Sequence, residues 1–173
     1  GFRFAKPTIE DFFESTDHTA VDRLDLHRYM GTWYEIARFD HRFERGLSEV
    51  TATYTLMPDG TVRVENRGCK HKKPYDVCKT AEGRAKIPDP SQPGKLKVSF
   101  FLSFYSDYYV LELDQDEYNY ALIGSSSDKY LWILSRAPIL PEEIKKKLLD
   151  AATRRGYDVK KLIWVEQREK KIM

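Results

Sequence analysis

The chain has 173 residues and a mass of 20.3 kDa, which is the size of a single domain. Hydrophobic residues make up 41% and charged residues 32% of the sequence, and this composition is too apolar for a disordered chain. The mean hydropathy is −0.61 and the sequence has no apolar run long enough for a transmembrane helix. Lys and Arg (29) nearly balance Asp and Glu (27), giving a net charge of +2, so we expect no nucleic-acid partner.

The sequence from Trp33 onward is dominated by alternation of apolar and polar residues, which is typical of half-buried β-strands. Short turns rich in Pro, Gly and Asp separate the alternating segments. The segments cover residues 33–37, 49–56, 62–67, 81–86, 95–100, 108–112, 118–123 and 130–134. Eight sequential strands joined by short turns predict an up-and-down barrel, whose closure also removes exposed edges.

One segment departs from this alternation near the C-terminus. Pro141 is followed by two Glu residues, and an apolar stripe then continues to Gly156, which predicts an amphipathic helix. Residues 162–165 read as one more short strand. We therefore predict an all-β fold, an eight-stranded antiparallel barrel with one C-terminal helix packed outside and a short final strand. The predicted organisation is an N-terminal arm over 1–20, the domain over 21–167 and a C-terminal tail over 168–173.

The first predicted strand and its following loop read GTWYEIARFDHRFERG over residues 31–46. This run closely resembles bacterial members of the lipocalin family that are related to apolipoprotein D. Further agreement lies in KVSFF at 97–101, YLWILSR at 130–136 and IWV at 163–165. The resemblance extends over residues 21–167.

The resemblance implies a cup, closed at one end, that binds a small apolar ligand. Some lipocalin-like proteins act on lipids or carry haem through a His in the barrel, but no predicted inward position here is His. We therefore expect no catalytic activity and no cofactor, and a lipid-modifying enzyme is a rival hypothesis.

The bacterial group is similar to outer-membrane lipoproteins linked to fatty acids and lysophospholipids. The sequence begins with Gly1 rather than Met, which is compatible with the loss of a preceding export signal. We therefore expect a location at the cell envelope, in the outer membrane or periplasm.

The resemblance also assigns a structural pair. Trp33 and Arg136 match the family's residues at the closed end, where a guanidinium group over an indole ring forms a cation–π contact. We expect this pair to plug the cup.

If Trp33 points inward, the period of two predicts the inward faces of all the strands. The candidate ligand-binding residues on these faces are Glu35, Ala37, Ala52, Tyr54, Val64, Asn66, Val98, Phe100, Tyr108, Val110, Glu112, Ile123, Tyr130 and Trp132. A barrel of eight strands either packs solid or holds one small ligand, and the periodicity alone leaves both alternatives open.

The polar members of this set need partners or water in a dry interior. Glu35 and Glu112 would form a carboxylate pair that disfavours a nearby anionic group. This arrangement predicts a lipid tail in the apolar part and a head group toward the mouth. A satisfied internal hydrogen-bond network near the closed end is the alternative for both residues.

Alternate loops open at the mouth, and they carry aromatic residues beside a basic run at 70–73. The candidate rim residues are Phe39, Phe43, Phe101, Phe104 and Tyr105. Aromatic and basic groups together suit peripheral contact with a lipid surface. Ordinary loop packing with a solvated charge run is the alternative.

Cys69 and Cys78 flank one predicted hairpin loop, and a disulfide between them would indicate an oxidising compartment. A zinc site through these cysteines and His71 lacks a clear fourth ligand, so we expect no metal. No phosphate-binding loop or nucleophile motif is recognisable in the sequence. The main hypothesis is a lipid-binding protein; a protein-interaction module that uses the aromatic rim is the alternative, and a homodimer is one of its forms.

Overall fold

The computed structural model describes residues 16–101 and 104–168. The side chains of residues 101–105 are not part of this description. The helices are α1 (Leu26–Tyr29) and α2 (Glu142–Arg154), and a 3₁₀-helix covers Val159–Lys161. The strands are β1 (Gly31–Phe39), β2 (Ser48–Leu56), β3 (Val62–Lys70), β4 (Val77–Lys86), β5 (Lys95–Phe101), β6 (Phe104–Leu113), β7 (Tyr120–Gly124), β8 (Trp132–Ser135) and β9 (Leu162–Trp164).

The strands β1 to β8 form a closed antiparallel barrel. Consecutive strands are paired from β2 to β8, β8 pairs with β1, and β1 pairs with β2 to close the cylinder. The strand β9 is bonded to β1 outside this ring, with Phe39 opposite Leu162. The predicted fold class is confirmed, including the C-terminal helix and the short last strand.

Two apolar clusters lie on opposite faces of the barrel wall. The inner cluster fills the barrel interior and includes Trp33, Val64 and Ile123. The outer cluster lies between the barrel and α2 and includes Ile133 and Leu148. Because strand side chains alternate between faces, one wall serves both clusters.

The helix α2 covers the barrel with the apolar stripe that its sequence predicts. Leu148, Ala151 and Ala152 are its buried residues, and two Glu residues occupy its first turn, where negative charge is stabilised by the helix dipole. The N-terminal segment also packs on the barrel, since the Asp17 amide donates to Arg155 O (2.8 Å) and the Val21 amide to Val110 O (2.8 Å).

Irregularities in two strands change which side chains face the interior. In β1 the register shifts between Glu35, opposite Leu134, and Ala37, opposite Ile133. Leu134 belongs to the inner cluster and Ile133 to the outer one. A one-residue bulge therefore moves Ala37 to the outside, and the prediction that Ala37 faces the interior is wrong.

The strand β6 has a similar shift between Val110, opposite Ile123, and Glu112, opposite Leu122. Leu122 lies in the outer cluster, and Glu112 Oε1 accepts from Arg155 Nε at 3.4 Å on the outside of the barrel. The prediction that Glu112 faces the interior, paired with Glu35, is wrong for the same physical reason.

Candidate functional site

The closed end of the barrel is sealed by Trp33. Its ring is fully buried, its Nε1 donates to Tyr29 O at 2.8 Å, and the Arg136 guanidinium lies 3.9 Å from the ring centroid. Arg136 also donates to Arg28 O at 2.6 Å and to Thr32 O at 3.3 Å. The guanidinium group thus covers the indole while its charge is hydrogen-bonded to backbone carbonyls.

Three tyrosines pack above Trp33 and join their hydroxyls. Tyr108 Oη lies 2.5 Å from Tyr29 Oη and 3.0 Å from Tyr54 Oη. Burial raises the pKa of Tyr54 to about 12 and raises the pKa of Tyr29 and Tyr108 well above the ordinary value. The hydroxyls are therefore neutral and satisfy one another.

The interior around these tyrosines is packed. The cavity that Leu26, Tyr54, Leu96 and Val98 help to line has a volume of about 10 Å³, roughly the space of one water molecule. Val62 and Val64 are buried beside it. In this half of the barrel the inner apolar residues form a filled core.

The packing loosens from the middle of the barrel toward the mouth, starting at Ala52, which lies opposite Trp33 in the β1–β2 ladder, because several inner-face residues there are only partly buried. Ala52, Phe100 and Trp132 pack against the inner cluster and remain partly exposed. Asn66 pairs with Ala52 across the β2–β3 ladder and is also partly buried. Solvent therefore reaches an inner wall made largely of apolar side chains.

The contact between β4 and β5 is close where their described pairing ends. This pairing covers Arg84–Lys86, and residues 77–82 of β4 are exposed. A Cβ at Gly83 would lie 2.5 Å from Ser99 O and 2.7 Å from Phe100 Cδ1. Only glycine fits this close approach of the two strands.

A buried charged cluster lies on the inner face below the mouth. The bulge in β1 turns Arg38 inward, where its side chain is 1% exposed. Arg38 Nη1 donates to Glu35 Oε2 at 3.0 Å, Nη2 donates to Glu44 O at 2.7 Å and to Leu47 O at 3.1 Å, and Nε donates to Asp40 at 3.3 Å. The guanidinium group ties the β1–β2 loop to the barrel wall.

The carboxylate of Glu44 completes this cluster. It lies 2.7 Å from His41 Nε2 and accepts from Trp132 Nε1 at 2.8 Å. Although burial acts in the opposite direction, the hydrogen bonds from His41 and Trp132 lower the pKa of Glu44 to about 2. Burial, together with the nearby charge of Glu44, raises the pKa of Glu35 even though Arg38 acts in the opposite direction. The cluster therefore favours an ionised Glu44 and a protonated Glu35.

The sequence interpretation missed Arg38 and Glu44. The alternative that it left open for Glu35 was a satisfied internal network near the closed end. The structure shows such a network for Glu35, but it joins the β1–β2 loop below the mouth. Tyr130 lies just before β8 and stacks on Trp132 with ring centroids 5.8 Å apart. His41 contacts both rings edge-on at 5.6 and 5.8 Å, so the two rings that bind the Glu44 carboxylate, His41 and Trp132, both pack against Tyr130.

The predicted rim residues have different positions. Phe43 is 67% exposed at the tip of the β1–β2 loop. Phe39 is buried in the outer cluster beside Tyr157, so its prediction as a rim residue is wrong, because β9 and the segment after α2 cover that end of β1. The side chains of Phe101, Phe104 and Tyr105 lie outside the described residues.

The hairpin of β3 and β4 ends in a disulfide. Cys69 and Cys78 are directly opposite in the ladder, and their sulfurs are bonded with a Cα–Cα distance of 4.0 Å. Beyond the bridge, Tyr75 is 72% exposed. Sequence reasoning did not select Tyr75, although only Pro74 separates it from the basic run.

The described residues also show what the structure offers for metal binding and for crossing a membrane by a helix. Within these residues no group of His, Cys, Asp and Glu side chains is arranged to hold a metal ion. Over the same residues, neither helix has the length and apolar character needed to cross a membrane.

The family model of the lipocalin-like domain matches residues 24–167. The chain belongs to the lipocalin family. The outer membrane lipoprotein Blc of Citrobacter freundii is 50% identical to this lipocalin over 149 residues, covering 86% of this chain and 82% of the relative. Mouse apolipoprotein D is 34% identical over 154 residues, covering 84% of this chain and 78% of the relative.

Solved structures show the same fold at lower identity. Insecticyanin from the tobacco hornworm Manduca sexta superimposes on this lipocalin with a TM-score of 0.71 and 23% identity, covering 90% of this chain and 87% of that one. The closed barrel, the plugged base and the family match together make the barrel interior the candidate binding site for a small hydrophobic ligand.

Proposed function

We propose that this lipocalin binds a single-chain lipid, a fatty acid or a lysophospholipid, in the half of its barrel that is nearer the mouth. The observation that carries the proposal is the division of the interior. The base is packed around Trp33 and Tyr108, whereas the inner wall at Ala52, Phe100 and Trp132 is apolar and reached by solvent. An apolar tail placed there removes this wall from water.

The charged cluster supports one orientation of the lipid. Four hydrogen bonds engage every nitrogen of the Arg38 guanidinium group. Nη1, which carries the one remaining N–H, lies 3.9 Å from Glu44 Oε2, so protein acceptors already compete for the whole group against an anionic head group. The ionised carboxylate of Glu44 lies beside Arg38, and this negative charge disfavours a second anion nearby. The head group therefore lies toward the mouth, where Lys70, Lys72 and Lys73 are found.

The energetics of tail burial agree with a protein that stores, scavenges or carries lipid. Each buried methylene contributes roughly 0.8 kcal/mol, so a tail of about 16 carbons offers on the order of 10 kcal/mol before the costs of association. One methylene discriminates weakly, so we expect a preference for single-chain lipids as a class rather than for one chain length.

We also place this function at the bacterial cell envelope. Outer membrane lipoproteins are among the relatives with about half of their residues identical to this chain. The Cys69–Cys78 bridge suits an oxidising compartment such as the periplasm.

The test is a matched pair of substitutions on β2. Ala52 faces the interior, and Ala52→Phe fills the space assigned to the tail. We expect affinity for a lysophospholipid, titrated as a monomer by calorimetry, to fall by about tenfold or more, because roughly two methylenes lose their site. Thr55 is exposed on the outer face of the same strand, so Thr55→Phe adds the same ring outside and leaves the affinity unchanged. Equal affinity of both variants and the wild type would contradict the proposal.

A further inference from the structure

The two ends of the barrel carry opposite charge. The three hairpin turns at the closed end, over residues 57–61, 87–94 and 114–119, contain five acidic residues and no basic one. At the mouth, the tip of the β3–β4 hairpin over residues 70–79 contains four lysines and one aspartate. The hairpin turns at the two ends therefore differ in charge within a chain of net charge +2, although Arg28 and Arg136 also lie at the closed end.

The basic tip is continuous with the β1–β2 loop. Ser48 Oγ lies 2.8 Å from His71 Nε2, and a Cβ at Gly46 would lie 3.8 Å from Lys70 Cε. We call the combined exposed face of residues 42–45 and 70–77 the mouth surface.

The acidic groups at the mouth surface are engaged. Asp40 accepts from Arg38 at 3.3 Å, and Arg168 lies 2.9 Å from Glu49 and 3.4 Å from Asp76. Among the residues that the structure describes, no acidic group lies within ion-pair distance of Lys70, Lys72 or Lys73. The positive charge of these three lysines is therefore available to a partner.

Two aromatic side chains project from the same surface. Phe43 is 67% exposed and Tyr75 is 72% exposed, and Val77 beside them is 39% exposed. The Arg42 guanidinium lies 4.8 Å from the Phe43 ring centroid. Apolar tips surrounded by basic groups match the interface of an anionic bilayer, where rings enter the boundary region and cations meet the head groups.

We propose that the mouth surface docks this lipocalin on an anionic lipid bilayer with the barrel mouth facing the membrane. The acidic turns at the opposite end are repelled by the same membrane, so the charge separation orients the molecule before contact. The inference rests on the proposed function only in using the bilayer as the source of the lipid, and docking itself requires no occupied barrel.

The test measures cosedimentation with vesicles of phosphatidylcholine, alone or mixed with phosphatidylglycerol. We expect binding to the mixed vesicles that weakens as salt increases, because exposed charges are screened. Lys72→Glu/Lys73→Glu should reduce partitioning to the mixed vesicles by at least tenfold, since each basic group near the surface contributes roughly 1 kcal/mol. Phe43→Ser/Tyr75→Ser should reduce it further at high salt, where the apolar contribution dominates.

The control changes the same charge elsewhere. Lys146 and Arg154 are exposed on α2, and Lys146→Glu/Arg154→Glu should retain most of the vesicle binding. An equal loss in the control, or no preference for phosphatidylglycerol, would overturn the proposal.

A further measurement distinguishes the other occupants of this surface. If analytical ultracentrifugation shows a dimer that Phe43→Ser/Tyr75→Ser abolishes, and vesicles do not compete with it, the surface binds a second copy and the proposal is wrong. Binding of monomeric lysophospholipid, measured without vesicles, tests the proposed function separately.

Discussion

The closed end and the mouth half of the barrel use different chemistry to organise one interior. The closed end is an apolar and aromatic core in which Trp33 is covered by Arg136 and the tyrosine hydroxyls satisfy each other. The mouth half holds a buried charged cluster, in which Arg38 donates to Glu35 and lies beside Glu44, together with partly exposed apolar side chains. The rigid base fixes the cup, and the charged cluster holds the loop that borders its opening.

The largest effect that we expect concerns the base. Trp33→Ala should lower the free energy of unfolding by about 4 kcal/mol, because it leaves a cavity in a packed core and removes the partner of Arg136. Urea denaturation measures the change. Trp164, which is 49% exposed on β9, provides the control, and Trp164→Ala should cost less than about 1 kcal/mol. Similar losses in both variants would show that the closed end is not a special core.

The mouth half should become less stable when its buried cation, Arg38, is removed. Arg38→Met should lower the free energy of unfolding by roughly 3 kcal/mol, because Glu35, Glu44 and two loop carbonyls lose their buried donor. Glu35→Gln should cost under about 1 kcal/mol, since burial and Glu44 raise the pKa of Glu35 and an amide resembles the protonated carboxyl group. If both variants lose the same stability, Glu35 is ionised in the folded protein.

The disulfide should have the next largest effect. Cys69→Ser/Cys78→Ser opens a loop with a sequence separation of 9, and we expect a loss of about 2–3 kcal/mol from the greater freedom of the unfolded chain. Adding a reductant to the wild type should give the same change in urea midpoint, and the double variant should not respond to the reductant. If the disulfide of the wild type is fully reduced, as shown by titration of its thiols, and the urea midpoint does not change, this prediction is contradicted.

The last prediction concerns how the stability of the β1–β2 loop changes at acid pH. The folded pKa of Glu44 is about 2, below its ordinary value of 4.5, so its stabilising contribution is present above pH 4.5 and is lost as the pH falls through about 2. The stabilising contribution of Glu35 has the opposite pH dependence, because the pKa of Glu35 is raised in the folded protein. This contribution is present below pH 4.5 and is lost as the pH rises through the folded pKa.

Glu44→Gln should therefore flatten the fall in unfolding free energy between pH 4.5 and pH 2. Tryptophan fluorescence reports the transition, since Trp132 donates to Glu44. The exposed Glu143 on α2 supplies the control, and Glu143→Gln should keep the wild-type acid profile. If the unfolding free energy of Glu44→Gln falls with pH as it does in the wild type, other groups control the loss of stability at acid pH.

The regular parts of the barrel were predictable from the sequence, and the bulged parts were not. Along β3 and β4 the ladder is uninterrupted from Val62 opposite Ala85 to Lys70 opposite Val77, so a period of two gives the correct inward face. The period fails in β1 and β6, where one extra residue reverses the faces that follow. Ala37 and Glu112 were misplaced for this reason, and Arg38 was missed.

Long-range contacts explain the rest of the candidate site. Glu44 and Trp132 are 88 residues apart in sequence, and no local pattern indicates that their side chains meet. Phe39 was placed at the rim because sequence alternation does not show that β9 pairs with the end of β1. The ligand-binding roles of Ala52, Asn66, Phe100 and Trp132 stay predictions that their inner-face positions support.

The central claim is that the mouth half of the barrel accepts one lipid tail. Native mass spectrometry of the wild-type protein, incubated with a lysophospholipid and with a fatty acid, tests it most directly. We predict one-to-one adducts of each lipid, each displaced by the other, because both tails occupy the same inner wall. Adducts of both lipids on one protein molecule, or an unliganded 20.3 kDa species under every condition, would contradict the claim.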